Sequence, residues 1–205
     1  QERDAAGNWS SSGSRLINID TTPPAAFSVS APATPTTSTT PTVTWSAATD
    51  ASSVTYVLKV ASSSNCATGV AQTYPVPPLV LGSTSQSLTT LTDGTWYACV
   101  TATDAAANST SAAAYSFVVD TTPPTAPTLS GATPTNSTTP TWSWVSGGGG
   151  GNGTYRYRLD NSDLSTGATT TTSTSYTPGT AITAGDHTLY VQERDAAGNW
   201  SSSGS

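Results

Sequence analysis

The chain has 205 residues, of which 9% are charged and 35% hydrophobic, with a net charge of −6 and no Met. That balance excludes a nucleic-acid surface, which needs clustered Lys and Arg, and no run of about 18 apolar residues offers a membrane span. Six Trp and eight Tyr supply enough apolar bulk for small cores, which separates the chain from disordered low-complexity sequence.

The first fourteen residues, QERDAAGNWSSSGS, return unchanged at Gln192–Ser205, a period of 191 residues. A repeat of this kind reads as an excerpt from a tandem array. A looser repeat lies inside it, since Asp20-Thr-Thr-Pro-Pro24 recurs as Asp120-Thr-Thr-Pro-Pro124. Residues 1–19 therefore read as the end of a preceding domain, 20–119 as one domain and 120–205 as a second. Both fit the size of a small domain. Leader peptides are not expected in an internal excerpt.

In chain order, Arg15, Leu16, Ile17, Asn18 and Ile19 read as the last strand of the preceding domain. Asp20–Pro24 then reads as a linker. The adjacent prolines, Pro23-Pro24 and again Pro123-Pro124, hold the backbone near polyproline geometry and make a short, stiff joint. Phe27 and Val29 begin a strand, and Thr42–Trp45 forms the next. Val54, Tyr56, Leu58 and Val60 alternate with polar or outward positions, the period of a half-buried strand. Ser62–Gly69 is a polar loop holding Cys66. The segment from Tyr74 through the prolines at 75, 77 and 78 is expected to be irregular or an edge. Strands follow at Ser87–Leu91 and Trp96–Thr103, the latter with Trp96, Ala98, Val100 and Ala102 inward, then at Ala114–Val119. In the second domain Trp142 and Trp144 mark the early strand, and Gly147–Gly151 reads as a flexible connection. Tyr155, Tyr157 and Leu159 alternate, and Thr169–Tyr176 and the run through His187, Leu189 and Val191 supply further strands. The counterpart of Arg15–Ile19 falls at positions 206–210. The next repeat of the same polypeptide is expected to supply it, because separate strand-donating subunits would not need the fourteen-residue overlap.

Several short strands with turns between them give an all-β chain of sandwich domains. Cys66 and Cys99, an even pair in a chain that reads as secreted, suggest one disulfide, with two reduced core thiols as the alternative. The run LTDGTWYACVTATDAAANST (Leu91–Thr110), the run DHTLYVQERDAAGNWS (Asp186–Ser201) and the two DTTPP junctions resemble the tandem bacterial immunoglobulin-like and fibronectin type III-like repeats of very large surface proteins. That resemblance implies an elongated rod or filament outside the cell or on its surface, with adjacent repeats or identical subunits as head-to-tail partners. It is weak on ligand, since such modules also serve as glycan- or host-binding adhesins and as linkers of secreted hydrolases.

Asp4–Asn8, Asp104–Asn108 and Asp195–Asn199 carry one polar signature. Two readings stand side by side. Asp104 and Asp195, joined by Asp20 and Asp120, offer carboxylates for calcium at the junctions, as in some large adhesins. Alternatively they are turn chemistry, with Gly198 supplying a positive φ; Ala107 in the cognate place loosens that geometry. Trp9 and Trp200 are expected to pack on a neighbour in preference to forming a sugar platform. At least two of Trp45, Trp142 and Trp144 are core anchors. His187 has no second imidazole or thiol for zinc and no nucleophile elbow, so neither enzyme nor resident cofactor is expected. Five Asn-x-Ser/Thr matches and the Thr169–Thr172 tract are surface sites with no assigned use.

Overall fold

The computed structural model describes residues 1–74 and 83–205 and contains no helix among them. Its strands gather into two sandwiches in succession. In the first, β1 (Val29–Ala31), β2 (Thr42–Trp45) and β5 (Ser85–Ser87) form one antiparallel sheet. The facing sheet runs β4 (Val70–Tyr74), β3 (Thr55–Ala61), β6 (Gly94–Thr103), β7 (Ser109–Ser111), with β8 (Tyr115–Val119) also paired to β6. The alternation of β3 points Tyr56, Leu58 and Val60 inward, where they meet Val43 and Trp45 of the opposite sheet. From β6 come Ala98, Val100 and Ala102, all sealed from solvent, while Trp96 near its start is half-buried. Cys66, in the loop after β3, is joined to Cys99 of β6.

The second sandwich repeats the plan with fewer strands. One sheet is β9 (Thr128–Gly131), β10 (Trp142–Val145) and β13 (Ser175–Tyr176); the other is β12 (Thr169–Thr171), β11 (Gly151–Leu159) and β14 (Leu189–Asp195). Its core is Trp144, Tyr155, Leu189 and Val191, ringed by half-buried Leu129, Trp142, Tyr157, Leu159 and Tyr176. Trp45 and Trp144 are the buried anchors and Trp142 is half-buried. Four buried residues here stand against thirteen in the first core. Two of the nine extra residues come from β8. Phe117 and Val119 fill the first core from that strand, and no strand among the described residues holds the same place in the second.

Several sequence expectations shift. The strand expected at Ser87–Leu91 forms instead at Ser85–Ser87, because Leu88 and Leu91 donate their N–H groups to Pro41 and Thr39 and not to a strand ladder. Thr169–Tyr176 is two strands in different sheets, β12 and β13. His187, read as part of the strand through Leu189 and Val191, lies before it; β14 begins at Leu189, where pairing with β11 begins. Arg15–Ile19, expected to pair with a preceding domain, meets no sheet edge among the described residues, and Leu16, Ile17 and Ile19 are 93%, 74% and 84% exposed. The prolines at 75–78 lie outside the described residues.

Candidate functional site

The features that single this chain out converge on the DTTPP segments. Each begins with a turn closed by its own aspartate, Thr22 N–H donating to Asp20 and Thr122 N–H to Asp120 at 3.0 and 3.1 Å. Each then buries its second proline, Pro24 or Pro124, while Pro23 and Pro123 stay exposed. Each is fastened to the sandwich that follows. Asn108 Nδ2 donates to the Asp20 carbonyl (3.2 Å), and Asn199 Nδ2 donates to the Asp120 carbonyl (2.9 Å). A second backbone bond completes the joint, Ala25 N–H to Thr49 C=O in one copy and Thr125 N–H to Gly148 C=O in the other.

Those asparagines belong to the three related turns. In each, one aspartate oxygen accepts two backbone N–H groups and the other accepts the asparagine amide, at 2.8–3.0 Å in Asp4–Asn8 and Asp104–Asn108 and 2.6–2.8 Å in Asp195–Asn199. The turn is therefore locally self-sufficient, because the copy at Asp4 forms it while exposed. The bond from Asn8 holds the Asp4 carboxyl below its ordinary range. For Asp104 and Asp195 burial pushes the other way, yet the bonds from Asn108 and Asn199 with the turn N–H groups outweigh it and both pKa values are lowered. The looseness expected at Ala107 is absent: it holds φ +72°, in the same region as Gly198 at +108°.

The two joints differ on their upstream side. After β8, the Asp93 carboxylate accepts Thr121 N–H (3.1 Å) and the hydroxyls of Thr121 and Thr122 (both 2.8 Å). Matching β6 to β14 through their shared pairing, Val60↔Ala98 and Leu159↔Leu189, puts Ala184 at the place of Asp93. Among the described residues, this clasp is made at the Asp120–Pro124 joint alone. The pentaglycine connection is also tighter than its composition suggests. A side chain on Gly147 would overlap the carbonyls of Thr125 and Ala126, so the glycines let the loop lie against the linker.

Of the four calcium candidates, Asp20 and Asp104 come together with Asp50, a residue that sequence reading passed over, and their oxygens lie within 4.8 Å of one another. Much of their accepting capacity is already taken: Asp104 by its turn, Asp50 by the N–H and hydroxyl of Ser52, Asp20 by Thr22. Among the described residues Asp120 and Asp195 gather no third carboxylate, since Gly149 stands where Asp50 would. Aligning the two loops between the early strands would have exposed that difference.

Trp200 lies under the Arg156 guanidinium, 4.4 Å from the ring centroid, with Arg194 at 5.8 Å. Its partner is β11 of its own sandwich and not the linker. Trp9, the same residue one period earlier, is 62% exposed. His187 is held by Asp160 (2.6 Å) and the Thr183 carbonyl (2.9 Å), the Asp160 bond raising its pKa most.

No family model matches the chain, and no curated protein matches it. Among solved structures the chain has distant matches. Fibronectin(III)-like modules of CbhA from Clostridium thermocellum match with 11% identity and a TM-score of 0.45, over 86% of this chain and 90% of theirs. The FN1–FN3 domains of chicken CNTN1 match with 13% identity and a TM-score of 0.49, over 94% of this chain and 67% of theirs. The fold rests on the sheets and cores described above.

Proposed function

We propose that this chain is a structural repeat of a bacterial extracellular or cell-surface rod. Its unit is two β-sandwich domains, 20–119 and 120–205, with 1–19 ending the domain before. The observation that carries the reading is the shared construction of the joints. A flexible tether would leave DTTPP solvated, whereas here each copy is pinned by an asparagine amide, a backbone bond and a buried proline. The Cys66–Cys99 bridge favours an oxidising location outside the cell. The sparse charge suits a neutral polar outer surface. On this reading the work of the molecule is mechanical: stiff joints fix the angle between successive sandwiches and transmit load along the rod. The covering of Trp200 by Arg156 speaks for packing at that position over sugar binding.

Small-angle scattering of the oxidised chain tests it. The reading predicts one well-defined separation between two bodies, and a broadened distribution when Asp93→Ala and Asn199→Ala are combined. A broad distribution in the unaltered chain would overturn it.

A further inference from the structure

In the first sandwich, β8 does more than pair with β6. It reaches the segment after the Thr34–Pro35 bond, where Thr36 N–H donates to Val118 C=O and Asp120 N–H donates to Thr36 C=O, both at 2.9 Å; Val118 N–H donates to Thr34 Oγ1. One strand thus closes two edges and plugs the core with Phe117 and Val119, each 1% exposed. Both edges recur in the second sandwich. The strand register places 185–189 where β6 has 94–98. The Thr133–Pro134 bond repeats Thr34–Pro35, with the hydroxyl bonds Ser137 N–H to Thr135 and Ser38 N–H to Thr36 at the same 3.1 Å.

Between these edges lies a groove of about 720 Å³ whose lining includes Thr133, Thr135, Trp142, Asp186, His187 and Leu189. Ser205 also lines it. Pro35 and Thr36 are half-buried beneath β8, whereas Pro134 and Thr135 are exposed. The chain also holds a segment that fits. Arg15–Asp20 precedes Thr-Thr-Pro-Pro as Tyr115–Asp120 does, which sets Ile17 at the place of Phe117 and Ile19 at that of Val119. Both isoleucines are exposed where they stand.

We propose that this groove is the docking site for residues 15–20 of a second copy of the repeat, added as an antiparallel edge strand. The inference rests on the tandem reading above. The register follows β8: Ile19 opposite Gly185, Asn18 opposite Asp186, Ile17 opposite His187, Leu16 opposite Thr188 and Arg15 opposite Leu189. Asn18 C=O accepts from Thr135 N–H, and Asp20 N–H donates to Thr135 C=O. Ile17 and Ile19 enter the core that now has four buried residues, and residues 185–188 gain the partner that makes them strand. The occupant is specified by its two inward isoleucines, because a one-residue slip would turn Leu16 and Asn18 inward instead.

The test extends the 205-residue chain past Ser205 with Arg-Leu-Ile-Asn-Ile-Asp and compares it with the same extension carrying aspartate at both isoleucine positions. Amide hydrogen exchange and the second sandwich's thermal midpoint are read in both and in the unextended chain, which is the folded baseline. The first extension slows exchange at Thr135, Gly185 and His187 by about 100-fold or more and raises the midpoint by at least about 10 °C. The aspartate extension does neither. Unchanged Thr135 exchange with the first extension, or equal effects from both, overturns the docking. Failure here alongside a fixed two-body separation in scattering removes the docking and leaves the rod. A filled groove with a broad separation does the reverse.

Discussion

The cross-link between Cys66 and Cys99 offers a sharp test of how the two sandwiches share stability. Replacing both with alanine frees the loop after β3 from the middle of β6, where Cys99 sits opposite Lys59. The sulfur pair lies on the outer face of the sheet beside Val57, Lys59 and Thr101, so little core packing goes with it. What is lost is the constraint on the unfolded chain. Closing a loop across 33 residues removes about 12 cal/mol/K from the unfolded state, roughly 3.7 kcal/mol at 25 °C on the loop-entropy account. At 4–8 °C per kcal/mol for a domain of this size, the first sandwich melts about 15–30 °C lower. The second contains no cysteine and shares no core residue with the first, so its transition stays in place. Differential scanning calorimetry of the oxidised chain and the double variant resolves the two transitions. A fall of less than about 5 °C would refute the loop-entropy reasoning, and equal movement of both transitions would refute the separateness of the cores.

Two further outcomes concern single side chains. Gly151 packs directly on Glu193, a buried carboxylate that accepts the Ser146 hydroxyl at 2.6 Å, and a Cβ there would overlap the carboxyl group. Gly151→Ala should cost the second sandwich about 1–3 kcal/mol and the cost should largely vanish in a Glu193→Ala background, the residue type found at Ala102 in the first; additive losses in a double-mutant cycle would count against the contact. The lowered pKa of Asp195 means its turn contributes stability above the unfolded value near about 3.9, and that contribution is lost as pH falls through the folded value. Asn199→Ala, which removes a bond that favours the charged form, should flatten the acid side of the second sandwich's melting profile between about pH 2 and 5; an unchanged slope would show that the turn does not set it.

What the sequence made legible was what burial writes into it. Val54–Val60 and Trp96–Ala102 alternate because one side of each strand faces a core, and Trp45 and Trp144 stand out as the bulk those cores need. Strands that bury little leave no such mark. Val70–Tyr74, Ser109–Ser111 and Thr169–Thr171 are mostly polar, exposed edges, held by backbone ladders whose donors every residue carries. His187 misled for a related reason. Its segment has the pattern of a strand, but among the described residues 185–187 make no strand ladder and Thr188 is tied only to Asp160, and pairing is a long-range property. At the joints, the repetition of Asp-Ala-Ala-x-Asn announced a shared turn, while the asparagine amide's reach to a linker 79 or 88 residues away was not readable locally. The same holds for Asp50, which becomes a neighbour of Asp20 and Asp104 only when the loop after β2 folds toward the linker.

The central claim is that pinned prolyl joints string these sandwiches into a rod, and electron microscopy of the native assembly tests it most directly. The account predicts a continuous thread with one axial repeat for every two beads, longer and shorter in alternation. Isolated particles without an axial repeat would contradict it.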